Sequence, residues 1–219
     1  GDSIYNGAYD KPSGLAAILA VAHAAARAPV TPKRSPLFAF VPAEASGLLG
    51  SQYFGEHPPV PAREIVADLN VDEANPEGPV RDITVMGDNK SSLGPAIAAM
   101  IKPEGLRISP DEHPEAGYFY RSDHFSFARV GIPSTTIAAG TDFVGKPAGW
   151  GKAHDDEYVA KHYHQPSDEY NPRWPLTGTA QIADIVYRFG TQLANATTVP
   201  TWNADAEFRP IRERSLRGQ

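Results

Sequence analysis

Hydrophobic residues along this chain change their spacing several times, and the changes predict helices that alternate with strands. Residues 13–28, SGLAAILAVAHAAARA, are rich in alanine and end before Pro29, which predicts a buried helix. Three further segments have the composition and spacing of helices. They cover residues 47–56, 92–101 and 176–196.

Four short apolar runs predict strands. They cover residues 37–41 (LFAFV), 64–72, 82–87 and 134–140. In the second run apolar residues such as Leu69 and Val71 alternate with polar ones such as Asn70. This order favours a three-layer α/β/α sandwich with one domain over residues 1–219. The proline-rich, aromatic segment 141–175 is too long for an ordinary connection, so we expect a functional loop.

Composition narrows the choice of partners. The chain has 219 residues, 41% of them hydrophobic, and a formal net charge of −6 without a basic block, which argues against nucleic acid and acidic membranes. It has no cysteine, which excludes disulfides and thiolate ligands. No apolar run approaches the roughly 20 residues of a membrane span, and no signal peptide is visible. Peptides or small molecules are the expected partners.

Four acidic or histidine positions fall where a site is expected in such a sheet, just past the ends of strands or in loops. Asp10 lies in the loop NGAYDKPSG before the first helix, Glu44 follows the run 37–41, Asp72 ends the run 64–72, and His164 lies in HYHQPSDEY. Carboxylates with imidazole are ligands of zinc and related ions. The alternative is structural: a helix cap, a loop charge, a strand end and a surface histidine.

Five segments in order resemble the family 28 zinc aminopeptidases, which are co-catalytic two-zinc exopeptidases. The segments are NGAYDKPSGLAAIL, PAEASGLLGSQYF, LNVDEANPEG, RSDHFSFARVGIP and YHQPSDEY. The resemblance implies an α/β sandwich around a mixed, mostly parallel sheet, with one or two zinc ions and a peptide substrate. It also implies a hydrolase that removes amino-terminal residues, in the periplasm or outside the cell.

The resemblance also assigns roles to residues. Asp10 matches the aspartate that bridges both metals, Asp72 matches a ligand of one zinc, and His164 matches a ligand of the other. Glu44 matches the general base, which accepts a proton from metal-activated water. The bond between Asp10 and Lys11 matches one that is often cis in the family.

Two departures from the family pattern remove metal ligands. Ala45 stands where a second glutamate would bind zinc, and a methyl group cannot coordinate a metal. The family's first histidine ligand would precede Gly1, so we expect an amino-terminally truncated chain that lacks the first strands and has a degenerate metal site. Exposed apolar surface or a sheet edge would follow, and self-association into a homo-oligomer would cover it.

Other residues near these segments are candidates for binding. Asp123, His124 and Tyr163 are predicted to contact the substrate, on the family's pattern. Additional histidines are more often hydrogen-bonded loop residues than metal ligands, although they stand near the predicted pocket. They are His124, His154 and His162. Asp168 is interpreted as a residue that orients the loop preceding it, and the acidic run 155–157 as a site for a cation or a free amino group.

Three classes of function remain open at this point. The first is a hydrolase of the zinc aminopeptidase type with an impaired metal site. The second is a hydrolase of glycosides or esters whose carboxylates act without metal. The third is a peptidase-like protein that binds peptides without cleaving them.

Overall fold

The computed structural model describes residues 4–110, 115 and 117–218. Within these residues the chain forms seven α-helices and four strands. The helices are α1 (Pro12–Ala26), α2 (Leu49–Glu56), α3 (Leu93–Ile101), α4 (His124–Arg129), α5 (Trp150–Lys161), α6 (Thr177–Asn195) and α7 (Arg209–Leu216). The strands are β1 (Asp68–Asn70), β2 (Asp82–Met86), β3 (Arg107–Ser109) and β4 (Ser134–Ala139).

The four strands form one mixed sheet in the order β1-β4-β2-β3. β1 is parallel to β4, β2 is parallel to β3, and β2 is antiparallel to β4. The central pair sets Ile83 opposite Ala139 and Val85 opposite Ile137. This sheet confirms the predicted mixed α/β architecture.

Hydrophobic side chains on one face of the sheet form the main core. Three helices cover this face, and each contributes fully or nearly fully buried residues. The core includes Ala17 and Val21 of α1, Leu93 and Ile97 of α3, Ile182, Ile185 and Phe189 of α6, and Ile83, Val85 and Ile137 of the sheet. Side chains alternate between the two faces of each strand, so every second one points into the main core. Leu69 does so, as the pattern of residues 64–72 predicted.

The opposite face of the sheet carries a smaller aromatic core. Phe119, Ala128, Trp202 and Phe208 are buried there, and Met86 of β2 packs against them. Trp202 donates a hydrogen bond from its indole nitrogen to the carbonyl of Gly131 at 2.9 Å. Helices on both faces make the fold the predicted three-layer sandwich. In the described part of the chain, no helix is long and apolar enough to cross a membrane.

Two parts of the sequence interpretation were wrong. Residues 37–41 form no strand: Leu37 and Phe40 are 55% and 45% exposed, and only Phe38 of this run packs against the main core. An apolar run becomes an interior strand only where neighbouring strands satisfy its backbone groups, and no described strand pairs with this one.

The segment 141–175 is not one continuous loop, because α5 occupies its middle. Gly149, with φ of 80°, precedes this helix, and Gly151 fits against the carbonyl of Thr141 where a Cβ would lie within 2.1 Å. Charged and apolar residues are mixed around this helix, which lacks an apolar stripe, so hydrophobic spacing could not predict it. The short elements β3, α4 and α7 were not predicted either.

Candidate active site

The start of α1 rests directly on the chain that leaves β1, and this contact brings Asp10 close to Asp72. A Cβ on Gly14 would lie 2.3 Å from the carbonyl oxygen of Asp72, so only glycine allows this approach. Ser13 joins the two segments: its hydroxyl donates to the carbonyl of Tyr9 at 2.6 Å and accepts from the amide of Ala74 at 2.9 Å. The motif DKPSG therefore has a structural reason for its serine and glycine.

Asp168 fixes the loop that carries Asp10. Its carboxylate accepts the amide hydrogens of Tyr9 at 2.9 Å and Asp10 at 3.1 Å, and the hydroxyl of Tyr158 at 3.0 Å. Its carbonyl oxygen also accepts the amide of Ala8 at 3.0 Å. The side chain is buried. Asp168 thus orients the loop that carries Asp10, which is a different loop from the one before Asp168 that the sequence interpretation assigned to it.

Glu44 reaches the same place from a tight turn before α2. Its carbonyl oxygen accepts the amides of Gly47 at 2.9 Å and Leu48 at 2.8 Å, which closes the turn. The Glu44 side chain is 14% exposed and points toward Lys11. The neighbouring Ala45 is exposed.

Lys11 lies at the middle of what we call the acidic centre, which consists of Asp10, Glu44 and Asp72 with Lys11 and His164. The Lys11 ammonium nitrogen is 2.5 Å from Oε2 of Glu44 and 3.1 and 3.2 Å from the two oxygens of Asp72. Burial lowers the pKa of Lys11, but Asp72 and Glu44 outweigh burial and leave it raised. The peptide bond between Asp10 and Lys11 is cis, as the resemblance implies.

A chain of hydrogen bonds leads from Asp72 into the protein. The Ser122 hydroxyl donates to Oδ2 of Asp72 at 2.5 Å and accepts from the side-chain Nδ2 of Asn70 at 3.0 Å. The same nitrogen donates to the hydroxyl of Thr136 at 3.1 Å. Thr136 in turn lies 2.7 Å from Nδ1 of His124. These contacts hold the Asp72 carboxylate in one orientation.

His164 lies beside Asp10 at the exposed side of the acidic centre. Nε2 of His164 is 3.2 Å from Oδ2 of Asp10, and the Asp10 side chain is only 7% exposed. Burial raises the pKa of Asp10, while Lys11 and His164 oppose the increase. Tyr163 stacks on His164 with ring centroids 3.9 Å apart. Burial, with a contribution from Asp10, raises the pKa of Tyr163.

A cavity of about 400 Å³ lies next to the acidic centre. We call it the side cleft. Tyr9 and Asp168 separate it from Asp10, and α5 forms one of its walls. Its acidic lining residues are Glu77, Asp155, Glu157, Asp168 and Glu169, and its aromatic ones include Phe143, Tyr158 and Trp174. Such a lining suits a ligand that carries a positive charge and some apolar surface.

The structure thus brings together the four residues that the sequence placed in one site. Asp10, Glu44, Asp72 and His164 are scattered along the chain, yet they lie close together: Asp72 and Glu44 raise the pKa of Asp10, and His164 lowers it. The roles assigned to them stay predictions. The sequence interpretation missed Lys11 as a member of this centre, although its position directly after Asp10 was a visible signal.

Residues predicted to contact substrate lie at different depths. Tyr163 is 39% exposed, whereas His124 is fully buried and Asp123 nearly so. Burial lowers the pKa of His124 to about 4, and its Nε2 has no hydrogen bond partner among the described residues. Substrate binding by these residues stays a prediction. His154 and His162 lie at the side cleft, where His154 stacks on Trp150 and His162 contacts Ser167.

Glu73 is a further acid, partly buried, that the sequence interpretation did not single out. It follows Asp72 directly. Burial raises its pKa to about 8, and the charges of Asp10 and Asp72 add to the increase. Near neutral pH, therefore, Glu73 is mainly protonated and adds little negative charge to the acidic centre.

The fold and the site define a class of protein: a three-layer α/β sandwich with carboxylates gathered past the end of a strand. The sequence model described as Peptidase family M28 matches residues 1–189. The chain belongs to this family.

Solved structures agree on the fold. The aminopeptidase from Aneurinibacillus sp. strain AM-1 is 19% identical to this chain, with a TM-score of 0.60. The matched region covers 91% of this chain and 42% of the aminopeptidase. Two structures of LapA from Legionella pneumophila, one titled LapA aminopeptidase, are 22% and 21% identical, with TM-scores of 0.60 and 0.61. The matched regions cover 87% and 88% of this chain, and 49% and 48% of the LapA chains. The chain therefore spans less than half the length of each of these proteins.

The residues of the acidic centre do not fit the pair of zinc ions that the resemblance implies. The Lys11 ammonium contacts the carboxylates of Glu44 and Asp72, and Ala45 supplies no ligand atom. Asp10 and His164 remain as a pair, whereas a catalytic zinc takes three protein ligands. Within residues 4–110, 115 and 117–218, no group of three or more histidine, aspartate or glutamate side chains is arranged to hold a metal.

The Asp168→Ala substitution tests the anchoring of the Asp10 loop. It should lower the free energy of unfolding by roughly 2–4 kcal/mol, because it leaves the amides of Tyr9 and Asp10 and the hydroxyl of Tyr158 without their acceptor. Urea denaturation measures the change. Asp156→Ala, which removes an exposed carboxylate paired with Lys152 on α5, is the control and should change stability by less than about 0.5 kcal/mol. Equal effects of the two substitutions would contradict the anchoring role.

The buried His124 predicts a specific loss of stability in acid. Burial lowers the pKa of His124 to about 4 in the folded chain, against about 6.5 in the unfolded chain. The contribution of the neutral His124 side chain to the free energy of unfolding is therefore complete above pH 6.5 and is lost as the pH falls through 4. Between pH 7 and 4, the native chain should lose roughly 3 kcal/mol more unfolding free energy than His124→Gln. Urea unfolding across this range measures the difference; His23→Gln, at an exposed position, should follow the native chain.

Proposed function

We propose that this chain is a hydrolase of the aminopeptidase type that acts on the amino-terminal residue of peptides. The observation that carries the proposal is the convergence of Glu44, Asp72 and Asp10 around Lys11, beside an acidic cleft, in a member of Peptidase family M28. The likeness to two aminopeptidases supports the same reaction class.

The side chains of the acidic centre suggest how the reaction would be divided among them. Glu44 is a partly exposed carboxylate and is suited to take a proton from water and return it to the leaving amine. The Lys11 ammonium, 2.5 Å from Glu44, is a fixed positive charge that would stabilise the oxyanion formed at the peptide carbonyl. Asp72 and its hydrogen bond from Ser122 hold Lys11 in place.

The side cleft is the proposed place for the amino-terminal residue of the substrate. A free peptide amino group is positively charged at neutral pH, and the lining carboxylates of Glu77 and Glu169 would attract it. Phe143 and Trp174 offer apolar surface for a side chain. Tyr163, exposed beside Asp10, would contact the peptide between the two sites.

Activation of water by zinc is the form of this reaction that the family implies, with Asp10, Asp72 and His164 as the ligands. The positions of Lys11 and Ala45 argue against that form for the chain as it stands. The proposed division of roles therefore uses only side chains of the chain itself.

Glu44→Gln tests the hydrolase proposal. The native chain should release the chromophore from aminoacyl p-nitroanilides, and the variant should lower kcat by at least about 100-fold because the amide cannot accept the proton. The matched control is Glu56→Gln at an exposed position of α2, which should keep the native rate. The assay is run with a chelator and with added zinc.

A second candidate function, peptide binding without cleavage, is favoured by the loss of a ligand at Ala45 and by the neutralisation of the carboxylates by Lys11. Both changes leave the side cleft intact. Calorimetric binding of short peptides without any turnover of anilides, aryl esters or aryl glycosides would favour this candidate over both hydrolase classes. Turnover of esters or glycosides alone would favour the metal-independent hydrolase.

Self-association is a further part of this proposal. α1 exposes Leu15 and Leu19 one turn apart, at 46% and 51% of their surface, and Leu37 and Phe40 are also exposed. Apolar surface of this kind favours association with a second copy. The double substitution Leu15→Glu/Leu19→Glu should shift the native chain from dimer to monomer in analytical ultracentrifugation. Leu216→Glu on α7 is the control. A native chain that stays monomeric at high concentration would contradict the proposal.

A further inference from the structure

We propose that the ammonium group of Lys11 is the resident cation of the acidic centre and takes the place that a divalent metal ion would need between Glu44 and Asp72. The proposal concerns which cation the centre holds, so it does not depend on whether the chain cleaves peptides. It predicts that the native chain binds divalent metal weakly and that removal of this one charge opens a metal site.

The contacts of Lys11 are those of a cation enclosed by ligands. Its nitrogen lies within 3.2 Å of three carboxylate oxygens: one from Glu44 and both from Asp72. An ammonium group has three hydrogens to donate and no acceptor. The oxygens that would face a metal ion therefore already face Lys11.

The charges around Lys11 require a cation at this position. Asp72 and Glu44 are close enough to Asp10 for each to raise its pKa, and the side chains of Glu44 and Asp72 are only 14% and 21% exposed. Like charges at such distances repel strongly where water is scarce. Lys11 supplies one positive charge, and the imidazole of His164 contacts the carboxylate of Asp10.

The backbone of Lys11 is held so that its side chain stays within reach of these carboxylates. Lys11 is the residue that precedes α1, and its carbonyl oxygen accepts the amide of Leu15 at 3.1 Å. The preceding residue, Asp10, is bound to Asp168, and Gly14 sets the helix against Asp72. Competition from Lys11 is therefore intramolecular and does not depend on the supply of any ion.

Zinc titration of Lys11→Met tests the proposal, because methionine keeps the length of the side chain and removes its charge. Calorimetry should give a zinc dissociation constant at least tenfold lower in the variant than in the native chain. The variant's melting temperature should also rise with zinc and fall with a chelator, whereas that of the native chain should not change. Lys161→Met, which removes an exposed lysine paired with Glu157 on α5, is the control and should behave as the native chain does.

Two further variants locate the site and separate the effect of Lys11 from that of the missing ligand. Lys11→Met/Asp72→Asn should lose the gain in zinc affinity, because Asp72 is one of the oxygens released. Ala45→Glu adds a carboxylate but leaves Lys11 in place, so this substitution alone should give less than a tenfold gain. A full gain in Ala45→Glu would show that the missing ligand, and not Lys11, limits binding.

A variant with balanced charge keeps the test decisive if Lys11→Met does not fold. Lys11→Met/Glu44→Gln removes one charge of each sign, so the net charge of the centre is unchanged, and Asp10, Asp72 and His164 are kept as the side chains that would rearrange to bind zinc. It should bind zinc more tightly than the native chain. The proposal is overturned if the native chain binds zinc as tightly as Lys11→Met or, where Lys11→Met does not fold, as tightly as Lys11→Met/Glu44→Gln. Turnover is not measured, so this failure is distinct from failure of the hydrolase proposal.

Discussion

The ion pairs of Lys11 are the interaction on which the candidate site depends. They join the start of α1, the turn before α2 and the end of β1, three segments that are far apart in sequence. An exposed ion pair contributes little to stability, but Lys11 is only 30% exposed and its carboxylate partners less so. Removal of one partner would leave a partly buried charge without compensation, which costs more than the pair itself contributes.

The surrounding structure explains why these charges can be held so close together. Asp168 binds the loop before Lys11, Ser13 joins that loop to the chain after β1, and Ser122 fixes the carboxylate of Asp72. Most polar groups of these three contacts are paired within the protein, although Oδ1 of Asp72 and Nε2 of His124 accept or donate no hydrogen bond among the described residues. The side cleft, by contrast, is lined by acids and remains open to a cationic group.

Sequence patterns predicted the parts of the fold that bury an apolar face. The helices α1, α3 and α6 and the strands β2 and β4 contribute to the main core, and the periodicity of their residues follows from that burial. α5 escaped prediction because it has no apolar stripe, although its pairs Lys152–Asp156 and Glu157–Lys161 have helical spacing. The run 37–41 was overpredicted because composition cannot show whether a partner strand exists. Motifs located Asp10, Glu44, Asp72 and His164, but the partner of a lysine is decided by tertiary structure.

Membership of Peptidase family M28 therefore defines the scaffold of this chain more firmly than its chemistry, because function is determined by the residues of the site. An ammonium group neutralises carboxylates as a metal ion does, but it is a proton donor and not a Lewis acid. It cannot lower the pKa of a bound water as a divalent ion can. In this proposal a lysine at position 11 makes the centre independent of metal supply, and any acceleration of hydrolysis comes from proton transfer by Glu44, the positive charge of Lys11 and the positioning of the peptide. In this proposal the residue that follows Asp10 decides which kind of cation balances the site.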